Sequence, residues 1–143
     1  MRRLEPAVLG YTTLRLGIGM SMLIHGVGRV GNIPAFAEQL VAHFSKTWLP
    51  HALVTGFAYG TPFVELLIGI LVLFGLFTRL GLVAGGLWMV ILIFGSTLAG
   101  DYDIVAIQLL YSLIFFVLLQ HESLNDLSFD GLVRRIKPST PAA

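Results

Sequence analysis

Four long apolar stretches dominate the pattern of hydrophobic and polar positions along the chain. They cover about residues 7–30, 53–77, 80–98 and 104–120. Each is close to or above the ~20 apolar residues with which a helix crosses the hydrocarbon core of a bilayer, and the fourth is the shortest. Continuous runs of this kind are typical of membrane helices, because the strands of membrane barrels alternate apolar and polar residues. The pattern therefore predicts an all-α membrane four-helix bundle that forms a single domain.

Two shorter segments are amphipathic. Apolar side chains recur at helical spacing within residues 34–44, which predicts a short helix on the outer membrane surface between the first two spans. Its apolar face consists of Phe36, Ala37, Leu40, Val41 and Phe44. Residues 121–137 mix apolar with polar and basic side chains, which predicts a segment on the cytoplasmic surface. The tail, residues 138–143, is predicted to be disordered.

The composition supports these spans and excludes several kinds of site. Charged residues make up only 12% and hydrophobic residues 56% of the 143 residues, whereas a soluble domain carries about 25% charged residues. The chain has no cysteine, which excludes disulfide exchange, thiolate metal sites and c-type haem attachment. A redox function would therefore need a bound cofactor or a partner protein. We assign no metal and no haem, and the sequence carries no nucleic-acid-binding signature.

Basic residues lie mainly on one side of the predicted bundle. They precede the first span, separate the second from the third and follow the fourth: Arg2, Arg3, Arg79, Arg134, Arg135 and Lys137. With four spans these three regions share one side, and the excess of Lys and Arg on cytoplasmic loops predicts that both termini are cytoplasmic. We accordingly expect a multi-pass protein of the bacterial cytoplasmic (inner) membrane.

Two ionisable residues lie deep inside the predicted spans. Arg15 is about eight residues into the first span and Glu65 about twelve residues from the cytoplasmic end of the second, depths of ~12 and ~18 Å. Placing such groups in a membrane costs about 3 kcal/mol or more. We expect Arg15 and Glu65 to form an intramembrane pair or to share a bound polar group, and both are candidate catalytic residues. A purely stabilising ion pair is the alternative.

Further polar residues extend this candidate site. His25 and Arg29 are four residues apart near the outer end of the first span, so they share a helix face. Gln108 and Tyr111 share a face of the fourth span. We predict one cofactor-binding cavity lined by Arg15, His25, Arg29, Glu65, Gln108 and Tyr111. The alternatives are an Arg29 that extends to the headgroups, a hydrogen-bonded interfacial His25, and hydrogen bonds between helices at the fourth span.

Four short motifs extend the interpretation to a family. They are Leu14-Arg15-Leu16-Gly17, His25-Gly26-Val27-Gly28-Arg29, Glu65-Leu66-Leu67-Ile68-Gly69 and Gly75-Leu76-Phe77-Thr78-Arg79. Together they resemble the DoxX family of small four-helix membrane proteins, in which many members have lysine in place of Arg29. The resemblance implies a connection to membrane oxidoreductases and a quinone as cofactor. The two carbonyl oxygens of a quinone would accept hydrogen bonds from Arg15, Arg29 and His25.

Three functions remain open. The resemblance favours a quinone-interacting subunit that acts with a soluble or membrane redox partner protein, and any enzyme activity would be that of an oxidoreductase subunit. The second is a small proton-coupled transporter that uses Glu65, although Arg15 would repel a cationic substrate. The third is a non-catalytic membrane anchor or assembly factor. Lipid surrounds the chain in all three, and the glycines in the spans permit a homo-oligomer.

Overall fold

A computed structural model describes residues 5–136 of the chain. Within that range it contains six α-helices, two short 3-10 turns and no strand. The helices are α1 (Pro6–Val30), α2 (Ile33–His43), α3 (His51–Phe74), α4 (Thr78–Ala99), α5 (Tyr102–Gln120) and α6 (Phe129–Ile136). Of these, α1, α3, α4 and α5 are long and apolar enough to cross a membrane, which confirms the predicted all-α protein with four spans.

Each end of the bundle takes its name from the short helix that lies there. The α2 end contains the end of α1, the start of α3 and the turn between α4 and α5. The α6 end contains the start of α1, the turn between α3 and α4, and the segment after α5. The cytoplasmic position of the termini stays a prediction, and the tail at residues 138–143 lies outside the described residues.

Left-handed backbone conformations end two of the spans. Gly75 follows α3 with a φ of 66° and Gly100 follows α4 with a φ of 84°, values that glycine adopts without steric cost. Phe77, directly before α4, also has a positive φ, of 44°. The second span therefore ends at Phe74 and the third begins at Thr78, although the apolar pattern predicted a span through residue 77. The pattern missed the turn because residues 76 and 77 are themselves apolar.

Close backbone contact joins α1 to α3. A methyl group on Gly26 would lie 2.6 Å from the backbone nitrogen of Leu66, and one on Gly19 would lie 2.6 Å from that of Leu73. These distances leave no room for a side chain, as in the small-residue contacts of other membrane helices. The two contacts, which lie about two turns apart on each helix, fix the antiparallel register of α1 and α3.

The spans enclose one apolar core and present a second apolar layer outward. The core includes Met22, Ile68, Leu82, Met89 and Phe115. Large apolar side chains that are more than half exposed include Leu67, Leu87 and Phe116. An outer surface of this composition requires lipid as its solvent. The chain is therefore a multi-pass membrane protein.

The amphipathic helix predicted between the first two spans is present as α2. Asn32 caps its start by accepting a hydrogen bond from the backbone N–H of Ala35. Ala37 is buried on the face that packs against α3. At the other end of α2, the ring of His43 forms a hydrogen bond with Asp101 in the turn between α4 and α5. The contact with Asp101 thus fastens the end of α2 to the bundle.

Polar contacts tie α6 to the turn between α3 and α4. Asp130 accepts hydrogen bonds from the backbone N–H groups of Phe77 and Thr78 at 3.0 and 2.6 Å, and from the Thr78 hydroxyl at 2.7 Å. It therefore caps the start of α4 from a position 52 residues later in the sequence. Asn125 donates to the same hydroxyl at 2.7 Å. The segment that follows α5 is thus part of the folded protein.

Replacing Asp130 with alanine is expected to destabilise the α6 end by about 1–2 kcal/mol, the usual cost of losing a helix cap. The N–H groups at the start of α4 would lose their acceptor. Asp130→Asn keeps one acceptor oxygen and should cost less. Hydrogen exchange of residues 77–80 in purified protein measures the effect, and exchange equal to wild type in the alanine variant would contradict the capping role.

Candidate functional site

A cavity of about 170 Å³ lies between the four spans toward the α2 end. Polar side chains from α1, α3 and α5 line it, together with apolar side chains that include Met22, Met89 and Leu92. The polar residues are His25, Arg29, Glu65, Gln108 and Tyr111. The structure therefore brings together five of the six residues that the sequence assigned to one site.

An ion pair between Arg29 and Glu65 crosses from α1 to α3 in this cavity. Nη1 of Arg29 donates a hydrogen bond to Oε1 of Glu65. The Glu65 side chain is only 4% exposed, and the Arg29 side chain is 32% exposed. A buried carboxylate at this position needs such a partner, because an unpaired charge in a low dielectric is costly. Oε2 of Glu65 has no hydrogen-bond partner among the described residues, so one acceptor of the pair is left for a ligand.

A second contact holds Arg29 from the side of α2. The guanidinium carbon lies 4.9 Å from the ring centroid of Phe36, a distance typical of cation–π attraction. The Arg29 guanidinium is therefore held between Glu65 and Phe36, and its side chain does not extend freely toward the headgroups. Sequence reasoning did not assign Phe36 to the site, and the only signal for it was its place on the apolar face of the amphipathic helix.

A pair of hydroxyl groups links α1 to α5 at the side of the cavity, and the imidazole of His25 bonds within α1. Nδ1 of His25 lies 2.9 Å from the carbonyl oxygen of Ser21. Because a carbonyl oxygen can only accept, Nδ1 carries the proton and Nε2 of the neutral ring is an acceptor. The hydroxyl groups of Ser21 and Tyr111 lie 2.9 Å apart. Hydrogen bonding between helices was the alternative interpretation of the polar face of α5, and the Ser21–Tyr111 pair is such a bond.

Gln108 makes a similar contact from α5 to α4. Its Nε2 donates to Oγ of Ser96 at 2.9 Å, and its Oε1 has no hydrogen-bond partner within the described part of the chain. A buried acceptor without a partner is destabilising unless something else bonds to it. The cavity therefore contains acceptor atoms on both α3 and α5 that the folded chain itself leaves unused.

The cavity opens between α1 and α5. His25, Ile104 and Ile107 line it and are exposed. The gap exists because α1 packs mainly on α3, and α5 packs mainly on α4, whereas α1 and α5 touch each other sparsely. Since the surrounding surface is apolar, this opening faces the lipid.

Arg15 lies outside the cavity, so the predicted pairing of Arg15 with Glu65 is wrong. Arg15 precedes Arg29 by fourteen residues in α1, a separation of ~21 Å along the helix axis at ~1.5 Å per residue. Two residues on the same helix face can therefore lie at opposite ends of the bundle. The carboxylate of Glu65 binds Arg29 instead.

The guanidinium of Arg15 caps α3 at the α6 end. Arg15 is 2% exposed and donates hydrogen bonds to the backbone carbonyl oxygens of Val72 and Leu73, each at 2.6 Å, and of Leu127 at 2.8 Å. The last carbonyl groups of a helix lack partners within the helix, and a cation there is favourable. The contacts of Arg15 are those of a structural residue, which corrects its assignment to the catalytic and cofactor-binding sets.

Among residues 5–136 there is no group of three or more His, Cys, Asp or Glu residues that could hold a metal ion. The side chains that line the cavity offer a charged pair, several acceptors and the hydroxyl group of Tyr111. Such a set binds and orients a small polar group, and it can exchange protons with it.

A comparison with protein families assigns the chain. The model of the family described as methylamine utilisation protein MauE matches residues 8–104, which is more than half of the sequence. The matched region includes Arg29 and Glu65 and ends at the start of α5, before Gln108 and Tyr111. No curated protein and no solved structure matches the chain.

This match overturns the resemblance to the DoxX family, which was wrong. The four motifs that carried the resemblance are short, and they consist mainly of glycines and single charged residues between apolar ones. Glycines of this kind recur wherever membrane helices pack closely. They therefore indicated a packed four-span bundle correctly and its family incorrectly.

Proposed function

Because the chain belongs to the family of the methylamine utilisation protein MauE, we propose that it is a subunit of an oxidoreductase system in the bacterial inner membrane, and that its cavity binds the ring of a quinone. The methyl carbon of methylamine is at the oxidation level of methanol, so its use as a source of energy requires oxidation and a path for the electrons. The chain has no cysteine. A bound carrier or a redox partner protein is therefore needed for any electron transfer.

The observation that carries this proposal is the cavity around the Arg29–Glu65 pair. Its volume of about 170 Å³ is similar to the ~150 Å³ of a protein cavity that holds benzene. Met22, Met89 and Leu92 supply apolar surface for a ring, and the ion pair supplies polar atoms. The opening toward lipid suits a ligand whose long apolar tail stays in the bilayer.

The hydrogen-bonding groups of the cavity favour the reduced form of the ligand. Free acceptors are Oε2 of Glu65, Oε1 of Gln108 and Nε2 of His25, whereas the remaining N–H groups of Arg29 are the main donors. A quinol ring donates two O–H bonds, and a quinone ring can only accept. We therefore expect the quinol to bind more tightly than the quinone.

Glu65→Gln is expected to weaken quinol binding about tenfold or more, since a hydrogen bond to a charged group contributes about 1.5–3 kcal/mol. The measurement is a titration of purified protein in nanodiscs with a short-chain quinol and with the corresponding quinone, together with extraction of bound lipids. Glu38→Gln is the matched control, because Glu38 lies exposed on α2 and should not affect binding.

Glu65→Gln also leaves Arg29 without its partner, so a second variant separates binding from folding. Gln108→Met removes the free acceptor on α5 at similar volume and leaves the ion pair intact. Both variants should bind less quinol. The thermal stability of Gln108→Met should fall only slightly, because the variant loses one hydrogen bond to Ser96, which contributes about 1 kcal/mol. Wild-type protein that neither retains nor binds a quinone would overturn the proposal, as would unchanged affinity in both variants.

The structure gives less support to the alternative functions. A proton-coupled transporter would need a carboxylate that a cationic substrate can reach, but Arg29 already neutralises Glu65. Proton-driven flux in liposomes that depends on Glu65 would nevertheless favour it. A non-catalytic anchor would bind a partner in fixed ratio and bind no quinone, so co-purification combined with the titration distinguishes it from the proposed subunit.

A further inference from the structure

The amphipathic helix α6 turns its apolar face away from the protein, whereas a surface helix of a soluble protein turns its apolar face toward the core. Its apolar residues recur at helical spacing within an arc of about 100°, and they form what is called here the apolar stripe: Phe129, Leu132, Val133 and Ile136. All four are at least half exposed, at 51%, 50%, 52% and 71%. The stripe therefore faces away from the protein.

The polar face of α6 is the one that meets the protein. Asp130 reaches the start of α4, as described above, and Nη2 of Arg134 donates to the carbonyl oxygen of Asn125 at 2.9 Å. Between them Gly131 is buried, and a methyl group there would lie 2.5 Å from the carbonyl oxygen of Asp126. These contacts fix the rotation of the helix about its axis. The outward direction of the apolar stripe is therefore built into the fold.

We propose that α6 is an in-plane membrane helix whose apolar stripe inserts into the bilayer at the boundary between headgroups and hydrocarbon. The ring of Phe129 lies edge-on to that of Phe74, with centroids 6.5 Å apart. Phe74 is the last residue of α3 and is 48% exposed on the outer surface of that span. The apolar stripe is thus continuous with the lipid-facing surface of the bundle.

The bilayer fits this surface better than a partner protein does. A stable protein interface buries about 800 Å² on each partner, and one face of an eight-residue helix cannot supply that area alone. A helix that lies in the membrane interface needs only an apolar face and a polar one. The sequence predicted a segment on the cytoplasmic surface, and the proposal specifies which face of that segment contacts lipid. It does not depend on the proposed quinone site.

The absence of cysteine from the chain allows a direct test with single spin labels. Leu132→Cys and Val133→Cys place a label on the apolar stripe, and Arg135→Cys places a matched label at an exposed basic position about 110° around the helix from the centre of the stripe. The full-length protein is reconstituted in vesicles of phosphatidylcholine and phosphatidylglycerol. Collision with oxygen, which partitions into lipid, is compared with collision with a water-soluble nickel complex.

We expect oxygen to dominate at positions 132 and 133 and the nickel complex to dominate at position 135. Nickel dominance at all three positions would place α6 in water and overturn the proposal. Protection of positions 132 and 133 from both reagents would also overturn it, because it would show a protein contact on the apolar stripe. If one labelled variant does not fold, Ile136→Cys reports on the same face.

Discussion

Replacing Arg15 with methionine is expected to lower the free energy of unfolding by about 2–5 kcal/mol, because each buried carbonyl group that loses its donor costs about 1–3 kcal/mol. Methionine fills a similar volume but donates no hydrogen bond. The carbonyl groups of Leu73 and Leu127 would then lose the guanidinium donor, and the carbonyl group of Val72 would keep only the N–H group of Gly75. Thermal unfolding of the purified protein in a mild detergent measures the change.

Two further variants make the Arg15 prediction specific. Arg15→Lys keeps the charge but cannot reach three carbonyl groups with the geometry of a guanidinium, so its loss of stability should be smaller than that of methionine. Gly17→Ala is the matched control on the same helix, because a methyl group there meets no atom within 4 Å. A methionine variant as stable as Gly17→Ala would show that Arg15 is not needed at the α6 end.

Gly26→Ala is expected to cost about 1–3 kcal/mol or more, the range for overfilling a packed interior, and to lower quinol affinity at least tenfold. The added methyl group would lie 2.6 Å from the backbone nitrogen of Leu66 and 2.9 Å from the carbonyl oxygen of Pro62. Backbone atoms cannot rotate away as a side chain can, so α1 and α3 must separate. Arg29 lies one turn beyond Gly26 and would move away from Glu65.

Gly28→Ala is the control for this substitution, because a methyl group at Gly28 has no neighbour within 4 Å. Gly69→Ala should reproduce the loss from the other helix, since a methyl group there would lie 2.4 Å from the backbone nitrogen of Leu23. Thermal unfolding and quinol titration are measured on all three variants. Equal stability of Gly26→Ala and Gly28→Ala would contradict the contact between the two backbones.

Residues that are costly in lipid were the most informative part of the sequence. His25, Arg29 and Glu65 have to meet other polar groups when they lie inside a membrane span, and the structure brings them to one cavity. The four spans were equally predictable, because about 20 apolar residues in a row have few other uses. Both predictions rest on free energies of transfer into lipid, and these are large enough to decide where a residue lies from its own segment alone.

The partner of each charged residue was not predictable, because the register of α1 against α3 depends on which glycines meet which backbone atoms. The prediction had aligned the ends of the first two spans at one membrane surface. In the structure Gly19 lies opposite Leu73, so Arg15, one turn before Gly19, reaches the end of α3. Glu65, further along α3, is left to Arg29. The capping role of Asp130 was also hidden, because its partners Phe77 and Thr78 lie 53 and 52 residues away in sequence.

The Arg29–Glu65 pair has an electrical consequence. Moving one elementary charge through a membrane potential involves about 2.3 kcal/mol for every 100 mV, but a joined cation and anion carry no net charge. The membrane voltage therefore exerts almost no force on the cavity, and the proposed neutral quinol should bind there with the same affinity in an energised membrane as in a discharged one. Only a step that separates the two charges, or that moves a proton away from them, would respond to the voltage.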